Sequence, residues 1–129
     1  MVHKAGSSRP LSPHATIYRW PMNAILSISH RITGIGMTVG AFLAVWWFLA
    51  ASISPEYFAF VDGLLTSVVG EFLLVCVLAA LCLHFCTGVR HLIWDIGKGF
   101  EANTVRASGI AGIVVSAAMF LLTLAIVAG

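Results

Sequence analysis

Hydrophobic positions fall into three long runs that hold no Asp, Glu, Lys or Arg: residues 32–55, 72–89 and 107–129. Within each run apolar side chains follow one another continuously, without the period-two alternation of an outer-membrane strand. The shortest run, 72–89, has His84 as its only ionisable side chain besides cysteine. Eighteen helical residues rise about 27 Å, which just crosses a hydrocarbon core of about 30 Å. Such runs are too long for the buried helices of a soluble domain. The pattern predicts an all-α integral membrane fold, a single domain over 1–129, with transmembrane helices at about 24–53, 65–94 and 106–129. Residues 1–22 read as a cytoplasmic tail. PEYFAFV (55–61) reads as a short interfacial segment between the first two spans.

Composition points the same way. The chain has 129 residues, 60% of them hydrophobic and 9% charged; soluble domains run at about 45–50% apolar and about 25% charged. A fold of this size in water could not cover that much apolar surface, and charge is too sparse for disorder. Three cysteines are too few for a disulfide scaffold. Cys76, Cys82 and Cys86 all lie in the second run and read as packing residues. No C-x-x-C-H occurs, which excludes covalent haem attachment. The first thirty residues carry neither the apolar core of a signal peptide nor the amphipathic period of a transit peptide, and Pro10 and Pro13 break any helix there.

Charge placement orients the spans. All seven basic residues lie on one side: Lys4, Arg9, Arg19 and Arg31 before the first span, and Arg90, Lys98 and Arg106 between the second and third. The other loop carries Glu56 and Asp62, with Glu71 at its edge, and no Lys or Arg. The positive-inside bias puts the N-terminus and the second loop in the cytoplasm and the C-terminus outside. Trp20 and Trp94 suit the inner interface, and Trp46 and Trp47 the outer one. Gly36 and Gly40 form a small-xxx-small surface for close helix packing.

Polar residues inside the spans are the places to look for chemistry, because a charge at the bilayer centre costs about 3 kcal/mol or more. Ser27, His30 and Arg31 stand at i, i+3 and i+4 on the inner end of the first span. Hydrogen-bonding groups beside a permanent guanidinium suit a carbonyl oxygen or a carboxylate near the membrane surface. On the plainer reading, Arg31 anchors the topology and snorkels to water. His84, Gly88 and His91 stand at i, i+4 and i+7 on the second span, with Thr87 beside them. A neutral imidazole in hydrocarbon needs a partner, either a metal such as haem iron or a hydrogen bond from a neighbouring helix. Gly88 would let a flat macrocycle approach the backbone. His84 and His91 lie about 10 Å apart along one helix and cannot share an iron. A second axial ligand would come from another helix, through His30 or a partner chain. Asp95, one turn beyond His91, is a candidate for passing protons inward. The third span carries no motif.

Two stretches, RPLSPHATIYRWPMNAILSISHRITG (9–34) and HFCTGVRHLIWDIGKG (84–99), resemble the two signatures of the succinate dehydrogenase cytochrome b556 subunit family. These are the larger membrane anchors of succinate:quinone oxidoreductases. The likeness spans nearly the whole chain, and the SPH-x-x-IYRW form is closer to the alphaproteobacterial and mitochondrial branch than to the enterobacterial one. The resemblance implies three spans packed with a second, smaller anchor subunit, and a haem b shared with it. His84 matches the axial haem ligand, and His30 and Arg31 the residues near the haem propionates. Ser27 and Arg31 match the ubiquinone site. It also implies an iron–sulfur subunit and a flavoprotein subunit as partners, with succinate oxidised on the flavoprotein and not on this chain. A bacterial cytoplasmic membrane is the expected location, with membrane lipid around the spans and no nucleic acid as partner. Three other classes stay open: a fumarate reductase anchor, a non-haem structural anchor in which His84 is a packed polar residue, and a small transporter. The last predicts inverted repeats or broken helices, and the chain has neither pattern.

Overall fold

The computed structural model describes residues 17–129. These fold into α1 (Met22–Ile53), α2 (Pro55–Leu65), α3 (Val68–Asp95) and α4 (Ala102–Ala128), with no strand among the described residues. α1, α3 and α4 are each long and apolar enough to cross a membrane. The all-α, three-span class expected from the sequence is therefore the observed one. The tail reading falls mainly on residues 1–16, outside the described residues.

Local chemistry sets the helix ends. Ser54 caps α2 by accepting from the Tyr57 amide at 3.2 Å, and Pro55 occupies the first helical position, where its missing N–H costs nothing. The Glu56 amide and the Ser54 hydroxyl hold the Glu56 carboxyl below its usual pKa. Ser67 caps α3 in the same way, accepting from the Gly70 amide at 3.2 Å. This pair of caps makes the interfacial segment a helix of its own, running to Leu65, and starts the second span at Val68 rather than near 65. α3 ends in a Schellman turn. Gly97, at φ 77°, donates to the Trp94 carbonyl at 2.8 Å, and Lys98 donates to that of Ile93 at 3.2 Å. A second left-handed glycine, Gly99 at φ 80°, follows. The turn is short enough for α4 to begin at Ala102, ahead of the expected position.

α3 is the central helix, with α1 on one side and α4 on the other, and α2 lies across the outer ends of α1 and α3. Close approach of α1 and α3 depends on the two glycines singled out above. A Cβ on Gly36 would meet that of Ala80 at 3.4 Å, and one on Gly40 would collide with Val77 Cγ1. At the outer end two indoles tie α2 down. Trp46 Nε1 donates to the Tyr57 hydroxyl at 2.8 Å, and Trp47 Nε1 to Asp62 Oδ1 at 2.9 Å. The Trp47 ring also packs on Phe58, with centroids 5.2 Å apart. Both indoles thus face protein as well as the interface to which the sequence assigns them.

Little apolar surface is enclosed. Leu26, Ala50, Val61 and Cys82 are the buried apolar side chains, while Phe42 and Val69 are more than 70% exposed. In water this would be untenable. Here the outward faces are those that lipid or a neighbouring protein covers, and in the helix interiors the backbone groups bond one another.

Candidate functional site

The inner half of the α1–α3 seam holds three imidazoles in a stack. The His30 and His84 rings lie 3.9 Å apart at 13°, and the His30 and His91 rings 4.7 Å apart at 36°. α1 delivers the middle ring and α3 the two outer ones, so the separation of His84 and His91 along their helix is filled by a ring from across the seam. Glycine makes the room: a Cβ on Gly34 would stand 3.2 Å from His84 Cε1, and one on Gly88 3.7 Å from His30 Cε1. The His30 imidazole borders Gly88, and the glycine beside the His84 ring is Gly34.

Hydrogen bonding assigns the tautomers. His84 Nδ1 lies 3.0 Å from the His30 carbonyl oxygen. A carbonyl only accepts, so Nδ1 carries a proton, and in the neutral imidazole Nε2 keeps the lone pair. Thr33 Oγ1, 3.2 Å away, shares that proton while donating its own to the Ser29 carbonyl at 2.9 Å. His91 Nδ1 donates likewise to the Thr87 carbonyl at 2.7 Å. The Thr87 hydroxyl is buried and bonds the Leu83 carbonyl at 2.7 Å, which leaves it to accept from His30 Nδ1 at 2.7 Å. Each ring is held by Nδ1 and keeps Nε2 bare. For His84 and His91 this is the arrangement in which a backbone carbonyl behind a metal-ligating histidine orients the ring and raises its basicity.

The donor set therefore fits a haem on His84. The His30 and His84 rings are in van der Waals contact, so in this arrangement the two would not hold one flat group between them. Among the described residues no three His, Cys, Asp or Glu side chains converge on a bare metal ion.

The other predicted residues have different surroundings. Ser27, one turn before Arg31 on α1, is half-buried, and Arg31 is exposed on the outside of the helix unit. His30 turns into the seam, so the three residues that share one stretch of α1 face two environments. Asp95 is the last residue of α3 and is exposed. Cys82 is buried, and Cys86 touches the Met119 sulfur at 3.9 Å, as packing residues do.

One side chain carries more than the sequence reading gave it. Arg90, counted there as a topology charge, is only 6% exposed. Its Nε donates to Ser108 Oγ at 3.1 Å, and Nη2 to Asn23 Oδ1 and to the Val105 carbonyl, both at 2.9 Å. The guanidinium carbon sits 4.0 Å over the Trp94 ring. Desolvating an ion costs several kcal/mol. Charge-assisted hydrogen bonds of about 1.5–3 kcal/mol each and a cation–π contact of about 0.5–2 kcal/mol are of the size that offsets this. α4, which has no motif, supplies two of the acceptors, and Gly109 lets it come close: a Cβ there would lie 2.8 Å from Met22 Cε and 3.7 Å from Arg90 Nη2. The polar, small pair Ser108-Gly109 at the start of an otherwise apolar span was the available signal.

Three apolar helices long enough to cross a membrane, with little apolar surface enclosed between them, define a class: multi-pass membrane subunits. A family model for the succinate dehydrogenase/fumarate reductase transmembrane subunit matches residues 6–124. The chain belongs to that family. It is 42% identical over 117 residues to the succinate dehydrogenase cytochrome b556 subunit of Paracoccus denitrificans, covering 91% of this chain and 90% of that one. It is 37% identical over 116 residues to the cytochrome b556 subunit of Rickettsia typhi, covering 90% of each. To the mitochondrial cytochrome b560 subunit of Sus scrofa it is 40% identical over 110 residues, covering 81% of this chain and 63% of the relative. Its relatives are thus cytochrome b subunits of succinate dehydrogenase.

Proposed function

We propose that the chain is the larger membrane anchor of a succinate:quinone oxidoreductase, and that with a second small anchor subunit it binds haem b and forms part of the ubiquinone-reduction site. An iron–sulfur subunit delivers the electrons, and a flavoprotein subunit oxidises succinate. The complex lies in a bacterial cytoplasmic membrane, with the N-terminus of this chain in the cytoplasm and its C-terminus in the periplasm; the one-sided Lys and Arg distribution supports that orientation.

The observation that carries this reading is the His84 imidazole, inside a span, with Nδ1–H committed to the His30 carbonyl at 3.0 Å and Nε2 bare. His84 would hold the haem from this chain, with a further ligand supplied by the second anchor. Bound haem supplies one-electron redox chemistry. His30 and Arg31 would lie beside its propionates, with Arg31 the fixed cation. Arg31 also stabilises negative charge on a quinone oxygen during reduction, and Ser27, one turn away, hydrogen-bonds a quinone carbonyl. Asp95, exposed where α3 meets the cytoplasm, feeds protons toward that site.

Purifying the complex through a tag on this chain and reducing it with dithionite tests the proposal as a whole. The expected result is co-purification of three further subunits with a b-type absorption spectrum. A stoichiometric complex devoid of that spectrum would leave a structural anchor instead. For Asp95 the expected result of Asp95→Leu is a several-fold slower quinone reduction with dye-linked succinate oxidation unchanged. A wild-type rate at every pH would remove Asp95 from the proton path.

A further inference from the structure

The histidine stack does not end at His91. The Trp94 ring meets the His91 ring edge-to-face with centroids 5.5 Å apart. The other contacts of Trp94 are the Arg90 guanidinium, 4.0 Å from its centroid, the Phe100 ring, stacked at 6.0 Å, and the Gly99 carbonyl, which accepts from Nε1 at 3.2 Å. Arg90 itself is bonded to α1 through Asn23 and to α4 through Ser108 and Val105. A continuous series of contacts thus runs Arg90, Trp94, His91, His30, His84, and its first member, on α3, bonds to both other spans.

We propose that Arg90 is a positioning residue for the histidine stack: by fixing α4 and the Trp94 ring it sets the tilt of His91, and through His30 the orientation of His84. The chemistry requires a planar cation. Only guanidinium donates in a fork to acceptors on two other helices while laying a flat face on an indole; an ammonium keeps the charge and loses both the fork and the stacking. Nothing in the series touches a reacting atom, so the role is exerted through His84. The inference rests on the haem reading for its consequence, but not for its geometry.

The test uses the intact complex with Arg90→Lys, Trp94→Leu and the double variant, read two ways. The first readout is the low-spin ferric EPR signal of the haem, which reports axial-ring orientation. Arg90→Lys and Trp94→Leu are each expected to shift it, and the double variant to shift it no further than the larger single change, because both act along one path. The second is the ¹⁵N spectrum of histidine-labelled complex, with lines assigned by His30→Gln and His91→Gln. It must show the His91 and His30 resonances moving in Arg90→Lys, and it reports whether or not haem is present. An absence of haem from the wild type would end the haem reading alone, and the imidazole lines would still decide this one. Unshifted imidazole lines in an assembled Arg90→Lys complex would overturn the proposal, as would additive shifts. If Arg90→Lys fails to assemble, Ser108→Ala and Asn23→Ala, each removing one bond, replace it. Smaller shifts of the same sign support the role, whereas lowered thermal stability with unmoved lines reduces Arg90 to a structural tie.

Discussion

Replacing His84 with leucine is expected to erase the low-spin b-type spectrum of the purified complex while the complex still assembles. Leucine is close to imidazole in bulk and suits a lipid-embedded seam, so packing between α1 and α3 is largely kept. The lost hydrogen bond to the His30 carbonyl costs about 0.5–1.5 kcal/mol, and Thr33 keeps its own bond to Ser29. What disappears entirely is the Nε2 lone pair, and the stack offers no substitute. His30 and His91 are pinned by their Nδ1 atoms at 2.7 Å to Thr87 and cannot swing to the position of the lost ring without breaking those bonds. A visible spectrum indistinguishable from wild type would show that His84 is a packed polar residue and that iron is held elsewhere.

Arg31→Leu is expected to lower quinone reduction by about 10²–10³-fold, the usual cost of removing one preorganised donor to developing negative charge. Succinate oxidation measured with a soluble dye should stay near wild type, because that chemistry takes place on another subunit. Arg31 is exposed on this chain, so its replacement disturbs little packing within it. The effect should therefore fall on turnover and not on assembly. Arg31→Lys retains the charge without the fork, and an intermediate rate is expected. Quinone reduction near the wild-type rate in Arg31→Leu would dismiss Arg31 from the quinone site.

The spans were legible because lipid imposes one requirement, continuous apolarity with internal backbone bonding, that any window of the sequence displays. The close seam was legible too, since Gly36 and Gly40 announce it at the spacing of one helical turn. His84 stood out as the one imidazole in an uncharged run. Its immediate partners did not. Whether His30 meets His84 depends on the register of α1 against α3, which is set by pairs such as Gly40 with Val77, far apart in the chain but adjacent in the fold. Arg90 was misjudged for a related reason. A basic residue at the end of a span looks the same in sequence whether it snorkels to water or turns inward, and only the polar groups of Asn23 and Ser108, on two other helices, decide which.

The paired indoles at the outer end have a consequence for how the subunit responds to the bilayer. Both N–H groups are spent on Tyr57 and Asp62, so neither is available to the headgroups at that end of the spans. That end is therefore tied by bonds within the protein. Hydrophobic mismatch from longer or shorter acyl chains then has to be accommodated by tilt or by movement at the inner rim, the same end that carries the histidine stack and Arg31.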